Sequence, residues 1–173
     1  RSFRRSVHTL EELCEAAATY AARAAEKIRF QNSLATYISV FAVVNDRKND
    51  RYPAYEAGAP LREPTSYTPA LIHSAKELVA ELFTEGVPYR KVGIFLGGLV
   101  PAACYQQDLF ETCGYKKGKQ DAVMRLMDKI KNDYGRKMLR SASEAAPDAD
   151  WKMRRSLRSP CYTTNWQEML RIK

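Results

Sequence analysis

Leu34-Ala35-Thr36-Tyr37-Ile38-Ser39-Val40-Phe41-Ala42-Val43-Val44 (LATYISVFAVV) is dense in β-branched and aromatic side chains, holds neither proline nor glycine, and stops at Asn45-Asp46. Such a run reads as one strand. The stretch before it has another period: Leu10, Leu13, Cys14, Ala17, Ala21, Ala24, Ala25 and Ile28 recur at three- and four-residue intervals, which is one face of a helix. Thr9, with Glu12 three residues on, forms a capping box that starts this helix. Side chains as small as alanine let the helix lie close on a sheet. Ahead of Thr9, Arg1-Ser2-Phe3 begins strand-like with no lead-in and no methionine, as expected of a piece of a longer protein.

On the other side of the strand, residues 47–64 carry Arg47, Lys48, Arg51, Gly58 and the prolines Pro53, Pro60 and Pro64. That composition predicts a loop, followed by a short strand at 65–67. Thr68 reads as an N-cap, with Pro69 at the first helical position. Leu71, Ile72, Ala75, Leu78, Val79, Leu82 and Phe83 form the buried face, and Gly86 is the expected stop. After Pro88 the run YRKVGIFLGGLVP is a strand in which Gly93 permits a bulge or a close approach of another backbone. The order is β-α-β-β-α-β. It predicts an α+β fold over residues 1–102, with two layers, a four-stranded sheet and both helices on one face.

Residues 103–118, with Gly114, Gly118 and Lys116-Lys117, read as a linker. Residues 119–173 then form a small, mainly helical region. Val123, Leu126, Met127, Ile130 and Tyr134 mark the expected buried face of a helix that Gly135 ends, and a basic, aromatic segment runs from Trp151 to Lys173.

Twenty-eight Lys and Arg against 20 Asp and Glu give a net charge of +8. The last 23 residues hold six bases and one acid. A basic chain is biased toward nucleic acid, although an anionic membrane or an acidic protein uses the same field. No apolar run approaches the roughly 20 residues that cross a bilayer, so a cytoplasmic protein without membrane contact is expected. Cys14, Cys104, Cys113 and Cys161 show no CxxC pair, so reduced thiols and no metal are expected. There is no GxGxxG, P-loop or HExxH pattern, and Asp148 and Asp150 fall in an expected loop without a third carboxylate. No catalytic set and no cofactor are expected; His8 and His73 read as structural.

Placed on strands, the bases converge. Arg1, Arg4 and Arg5 flank the first strand, Arg47 and Lys48 follow the second, and Arg90 and Lys91 open the last. With both helices on one side the other sheet face stays open, where Ser2, Thr36, Ser39 and Tyr37 join these cations opposite a phosphate backbone. The bland alternative is a solvated sheet edge guarded by charge. Gln106-Gln107-Asp108-Leu109-Phe110 is a polar run ending in two large apolar side chains, which either find a pocket elsewhere or tuck back onto their own domain.

Arg1-Ser2-Phe3, Ala25-Glu26-Lys27-Ile28-Arg29 with Gln31, Thr65 with Tyr67-Thr68, and Tyr89-Arg90-Lys91-Val92-Gly93 resemble the little-finger domain of Y-family translesion DNA polymerases. Asp108-Leu109-Phe110, Met127-Asp128-Lys129-Ile130 with Tyr134-Gly135, Trp151-Lys152-Met153-Arg154 and Ser159-Pro160-Cys161-Tyr162-Thr163-Thr164-Asn165-Trp166 are similar to the C-terminal region of the UmuC branch (the ImpB/MucB/SamB family). The resemblance implies a little finger that grips primer-template duplex, with Phe3 of the first-strand motif among the contacting residues. It implies a tail for partner contacts through Trp151, Arg154, Arg155, Tyr162 and Trp166, and it leaves open whether that tail meets RecA, a UmuD-type subunit or its own little finger. It also implies a parent polymerase of SOS lesion bypass whose catalytic carboxylates belong to a palm outside this chain. Gln106 to Phe110 looks like the bacterial sliding-clamp pentapeptide, with Gln107 where leucine is usual. The chain also departs from the pattern at Arg4, where the family has glycine, and at Cys161, where arginine is common. The alternative is a self-standing, noncatalytic regulatory module whose basic tail binds an acidic protein.

Overall fold

The computed structural model describes residues 2–45, 52–104, 114–135, 138–145, 149–153, 159–163 and 166–169. β1 (Ser2–Val7), α1 (Leu10–Phe30), β2 (Ser33–Val44), β3 (Ala54–Thr65), α2 (Thr68–Leu82) and β4 (Tyr89–Gly97) follow in the expected β-α-β-β-α-β order, and β5 (Val100–Pro101) and α3 (Gly114–Tyr134) come after them. The sheet is antiparallel in the order β1-β4-β2-β3. β5 pairs with Ser33 and Leu34 at the start of β2, so the sheet has five strands rather than four. Gly98, at φ +58, makes the turn that brings the chain back.

β2 alternates as its composition demands. Ile38, Val40, Ala42 and Val44 point into the core with Val92 and Tyr89 of β4, and α1 and α2 cover that side of the sheet. Thr9 caps α1 by accepting from the Glu12 amide. The Glu12 carboxylate, which the capping box would turn back to the Thr9 amide, instead holds Arg5. The buried stripe of α1 is wider than its periodicity implied. Ala16, Ala18, Thr19 and Ala22 are also buried, whereas Leu10 is exposed. α1 is covered by α2 and, at Thr19, by the C-terminal segment, whose Ala145 amide donates to Thr19 Oγ1.

Residues 54–64, read as loop, form with Thr65 a 12-residue strand, and the short strand expected at 65–67 is only its last residue. β3 is an edge strand, where the missing amides of Pro60 and Pro64 can face solvent without breaking a ladder. α2 is capped at Tyr67, one residue before the expected Thr68, and ends at Leu82 because Tyr89 Oη donates to Leu82 O and accepts from Thr84 N; Gly86 sits in the turn beyond. α3 begins at Gly114, inside the expected linker. Its buried side is Met124 and Lys131, while Val123, Leu126 and Tyr134, expected in a core, are exposed.

Trp151 is also corrected. Expected at a partner-docking surface, it is 2% exposed and packs edge-on against Phe3 (5.5 Å between centroids) and Tyr20 (6.3 Å). Arg140 and Lys152 both donate to Ala145 O and brace this segment. The C-terminal region therefore completes the core under β1 and α1.

Candidate nucleic-acid interface

β1 and β4 do not pair evenly. Ser2 stands opposite Lys91 and Val7 opposite Tyr89, so the four residues Phe3 to Ser6 face Arg90 alone. Such a bulge leaves backbone groups without a ladder partner. One is taken up by the C-terminal segment, since the Arg4 amide donates to Trp151 O at 2.9 Å. The bulge also gathers side chains. Arg4, Arg5 and Arg90, with Ser6, Asn45 and Tyr52, line a notch of about 290 Å³ beside Phe3.

The three cations of the notch are held differently. Arg5 is bound by Glu12. Arg90 lies over the Tyr52 ring, 4.6 Å from its centroid, a cation-π contact that orients the guanidinium without neutralising it. Arg4 projects to solvent from a backbone fixed by Trp151. Among the described residues no carboxylate pairs with Arg4 or Arg90. Asn45 Nδ2 donates to Ser6 Oγ across the notch at 3.1 Å and ties the end of β2 to β1. The arrangement offers two uncompensated guanidinium groups and a small polar floor, a setting for a phosphate.

The other expected contacts divide. Lys91 and Ser2 are partly exposed neighbours across the β1–β4 pair. Thr36 is committed to a hydrogen bond from its hydroxyl to Gly98 O at 3.0 Å. Phe3 (8% exposed) and Ser39 (0%) lack the surface that a DNA contact requires, because Phe3 enters the core and Ser39 lies sealed between larger side chains. Tyr162 and Trp166 of the tail are exposed, Trp166 at 86%. Arg1, Arg47, Lys48, the pentapeptide Gln106, Gln107, Asp108, Leu109 and Phe110, and the tail residues Arg154 and Arg155 lie outside the described residues. Sequence reasoning missed Tyr52 and Asn45. An aromatic residue within reach of Arg90 was available in the sequence, but its meaning depends on a strand read as loop.

A second feature lies at the far end of α1. Arg29 gives a two-pronged ion pair to Asp128 of α3 (2.7 and 2.8 Å) while its Nη1 also donates to Ser66 O and Thr68 Oγ1. One guanidinium thus joins α1, the start of α2 and α3. Among the described residues there is no group of three His, Cys, Asp or Glu side chains that could hold a metal ion. No helix of the described residues is long and apolar enough to cross a membrane.

Residues 1–109 match the impB/mucB/samB family C-terminal domain, and residues 121–172 match a domain of unknown function (DUF4113). The chain is 30% identical over 174 residues to Protein UmuC of Salmonella typhimurium, a match taking in 100% of this chain and 41% of that protein. It is 33% identical over 170 residues to Protein MucB of Escherichia coli (98% of this chain, 39% of that one) and 29% identical over 170 residues to Protein SamB of Salmonella typhimurium (again 98% and 39%). The chain thus spans about two fifths of the length of these relatives. With the two matched stretches in the order that the motifs gave them, the chain belongs to the impB/mucB/samB family and is a C-terminal part of its UmuC-like, Y-family type.

Proposed function

We propose that this chain is the DNA-gripping and partner-docking part of a UmuC-like, error-prone DNA polymerase that acts in SOS lesion bypass in the cytoplasm. The observation that carries the reading is the β1 bulge, which sets Arg4 and Arg90 side by side without a carboxylate on either among the described residues. Phosphate contacts of this kind position a protein on duplex DNA without reading its sequence. Catalysis belongs to the rest of the parent protein, so the chain by itself incorporates no nucleotide and holds no cofactor.

Docking to the sliding clamp is assigned to Gln106 to Phe110. Leu109 and Phe110 enter an apolar pocket and Gln106 sets the register. Two such side chains gain about 1.5 to 3 kcal/mol each before ordering costs, so the peptide alone binds at micromolar strength. Trp166 and Tyr162, exposed in the tail, are the surface offered to a UmuD-type subunit or RecA. The test of the grip is fluorescence anisotropy with a labelled primer-template duplex across a salt series. Arg4→Glu with Arg90→Glu should remove most binding, and the log-log salt slope should shrink by about 0.9 for each phosphate no longer neutralised. Unchanged binding in the double variant would overturn the assignment.

A further inference from the structure

The open face of the sheet is not the field of cations and hydroxyls that its bordering residues suggest. By register, Tyr37, Ser39, Phe41 and Val43 of β2 share that face with Lys91, Gly93, Phe95 and Gly97 of β4 and with Glu56, Gly58 and Pro60 of β3. Its middle is therefore aromatic. Tyr37, Phe41 and Phe95 are exposed at 38%, 37% and 58%, whereas the Ser39 hydroxyl between them is fully buried and has no hydrogen-bond partner among the described residues.

The rings are laid across their neighbours, and the glycines make this possible. A Cβ on Gly93 would fall 2.1 Å from Phe41 Cζ, and one on Gly58 would fall 2.1 Å from Tyr37 Oη. Phe41 thus rests on β4 and Tyr37 reaches over β3, while Phe95 leans along its own strand to 2.9 Å from the missing Cβ of Gly97. Any side chain at Gly58 or Gly93 would lift a ring off the sheet. Cations stand at the margin of these rings. Lys91 lies on the same face two positions before Gly93, and Arg90 and Arg4 are in the adjoining notch.

Phosphate contact with a duplex calls for the cations alone. Exposed π-faces beside a basic margin fit a strand whose bases are unpaired, because every base can stack on a ring while its phosphates meet the cations. We propose that the open sheet face is a stacking platform for single-stranded DNA, with Phe41, Phe95 and Tyr37 under the bases and Lys91, Arg90 and Arg4 on the backbone. With the Ser39 hydroxyl sealed, binding is sequence-tolerant. This rests on the DNA-binding function proposed above and adds the unpaired strand as the ligand of the sheet's centre.

The full chain is tested by anisotropy against three labelled probes at one salt concentration: a thymidine oligonucleotide of about 12 nucleotides, the same length with abasic sites throughout, and a duplex. The abasic strand should bind at least about fivefold more weakly than the thymidine strand, the loss expected when base stacking is removed. Phe41→Leu with Phe95→Leu keeps apolar bulk but removes the ring faces. It should lower thymidine-strand affinity to the abasic level and leave duplex affinity within about twofold. Gly93→Ala, which displaces Phe41 without altering any ring, should shift affinity the same way. A thermal melt of each variant checks that it is folded. Equal binding of thymidine and abasic strands by the parent chain, with the duplex still bound, would overturn the platform and leave the grip intact. Failure to bind any probe would overturn both.

Discussion

Trp151 is 2% exposed and edge-on to Phe3 and Tyr20, so truncating it removes a large ring from a closed core. Trp151→Ala should cost about 3 to 5 kcal/mol in a urea titration, the range for deleting a buried aromatic ring. Trp151→Phe should cost less than half of that. Its indole Nε1 is buried without a partner among the described residues, so phenylalanine gives up volume but no hydrogen bond. A loss in Trp151→Ala below about 1 kcal/mol would mean that the ring is not a core residue. Cys14 offers a second test at the same scale. Burial pushes its thiol above the ordinary range, and Lys76 opposes this only in part. The folded state therefore favours the protonated thiol, and that contribution is present below the unfolded-state pKa and fades as the pH rises through the folded one. Thiol labelling near pH 8 should modify the exposed Cys104 and Cys161 well before Cys14. Equal rates at all three would contradict the burial.

Arg29 decides where α3 lies. It joins Asp128 to Ser66 O and Thr68 Oγ1, and both charged side chains are mostly covered (12% and 23% exposed). Breaking a buried pair leaves the other charge stranded, and partial exposure reduces that cost, so Asp128→Ala should lose about 2 kcal/mol. The loss should appear as faster amide exchange along α3, with β2 and β4 unchanged. Arg29→Lys should not restore protection, because an ammonium cannot reproduce the two-pronged contact. The same helix shows where the sequence stopped being legible. β2, α1 and α2 could be read because composition or periodicity marked each buried face. α3 was misread because its covered side is set by one ion pair, Met124 and the stem of Lys131, while Val123 and Leu126, which look like core, face solvent. β3 was hidden by prolines that only its edge position makes tolerable. In the candidate site, Arg4 and Arg90 were legible as bases beside strands. Their meeting depends on a bulge, and no local pattern shows one. The glycines under Phe41 and Tyr37 acquire meaning only once the register is known.

Two stretches that match different families share one core. Ala145 and Trp151 belong to the same buried cluster as Phe3, Val7, Leu13 and Ile38, and the bond from the Arg4 amide to Trp151 O ties the C-terminal segment to the bulge that shapes the notch. A unit that buries its surface in common should unfold in common. In a Trp166→Phe variant, Trp151 is the sole tryptophan, and its fluorescence should lose native character at the same urea concentration as the far-UV circular dichroism of the sheet and helices. A fluorescence transition at distinctly lower urea would show the C-terminal segment to be a separable appendage. The shared core also gives the notch an indirect dependence. Trp151 has no surface left for DNA, yet its ring, packed on Phe3 and Tyr20, anchors the main chain whose carbonyl accepts from the Arg4 amide, and truncating it loosens the support of the four-residue bulge opposite Arg90. Trp151→Ala, at a temperature where it remains folded, should therefore weaken duplex binding severalfold while keeping the salt slope, since the cations remain but are held less well. Trp151→Phe should bind like the parent chain. Full duplex affinity in folded Trp151→Ala would separate the notch from the C-terminal region and leave the bulge to stand on β1 and β4 alone.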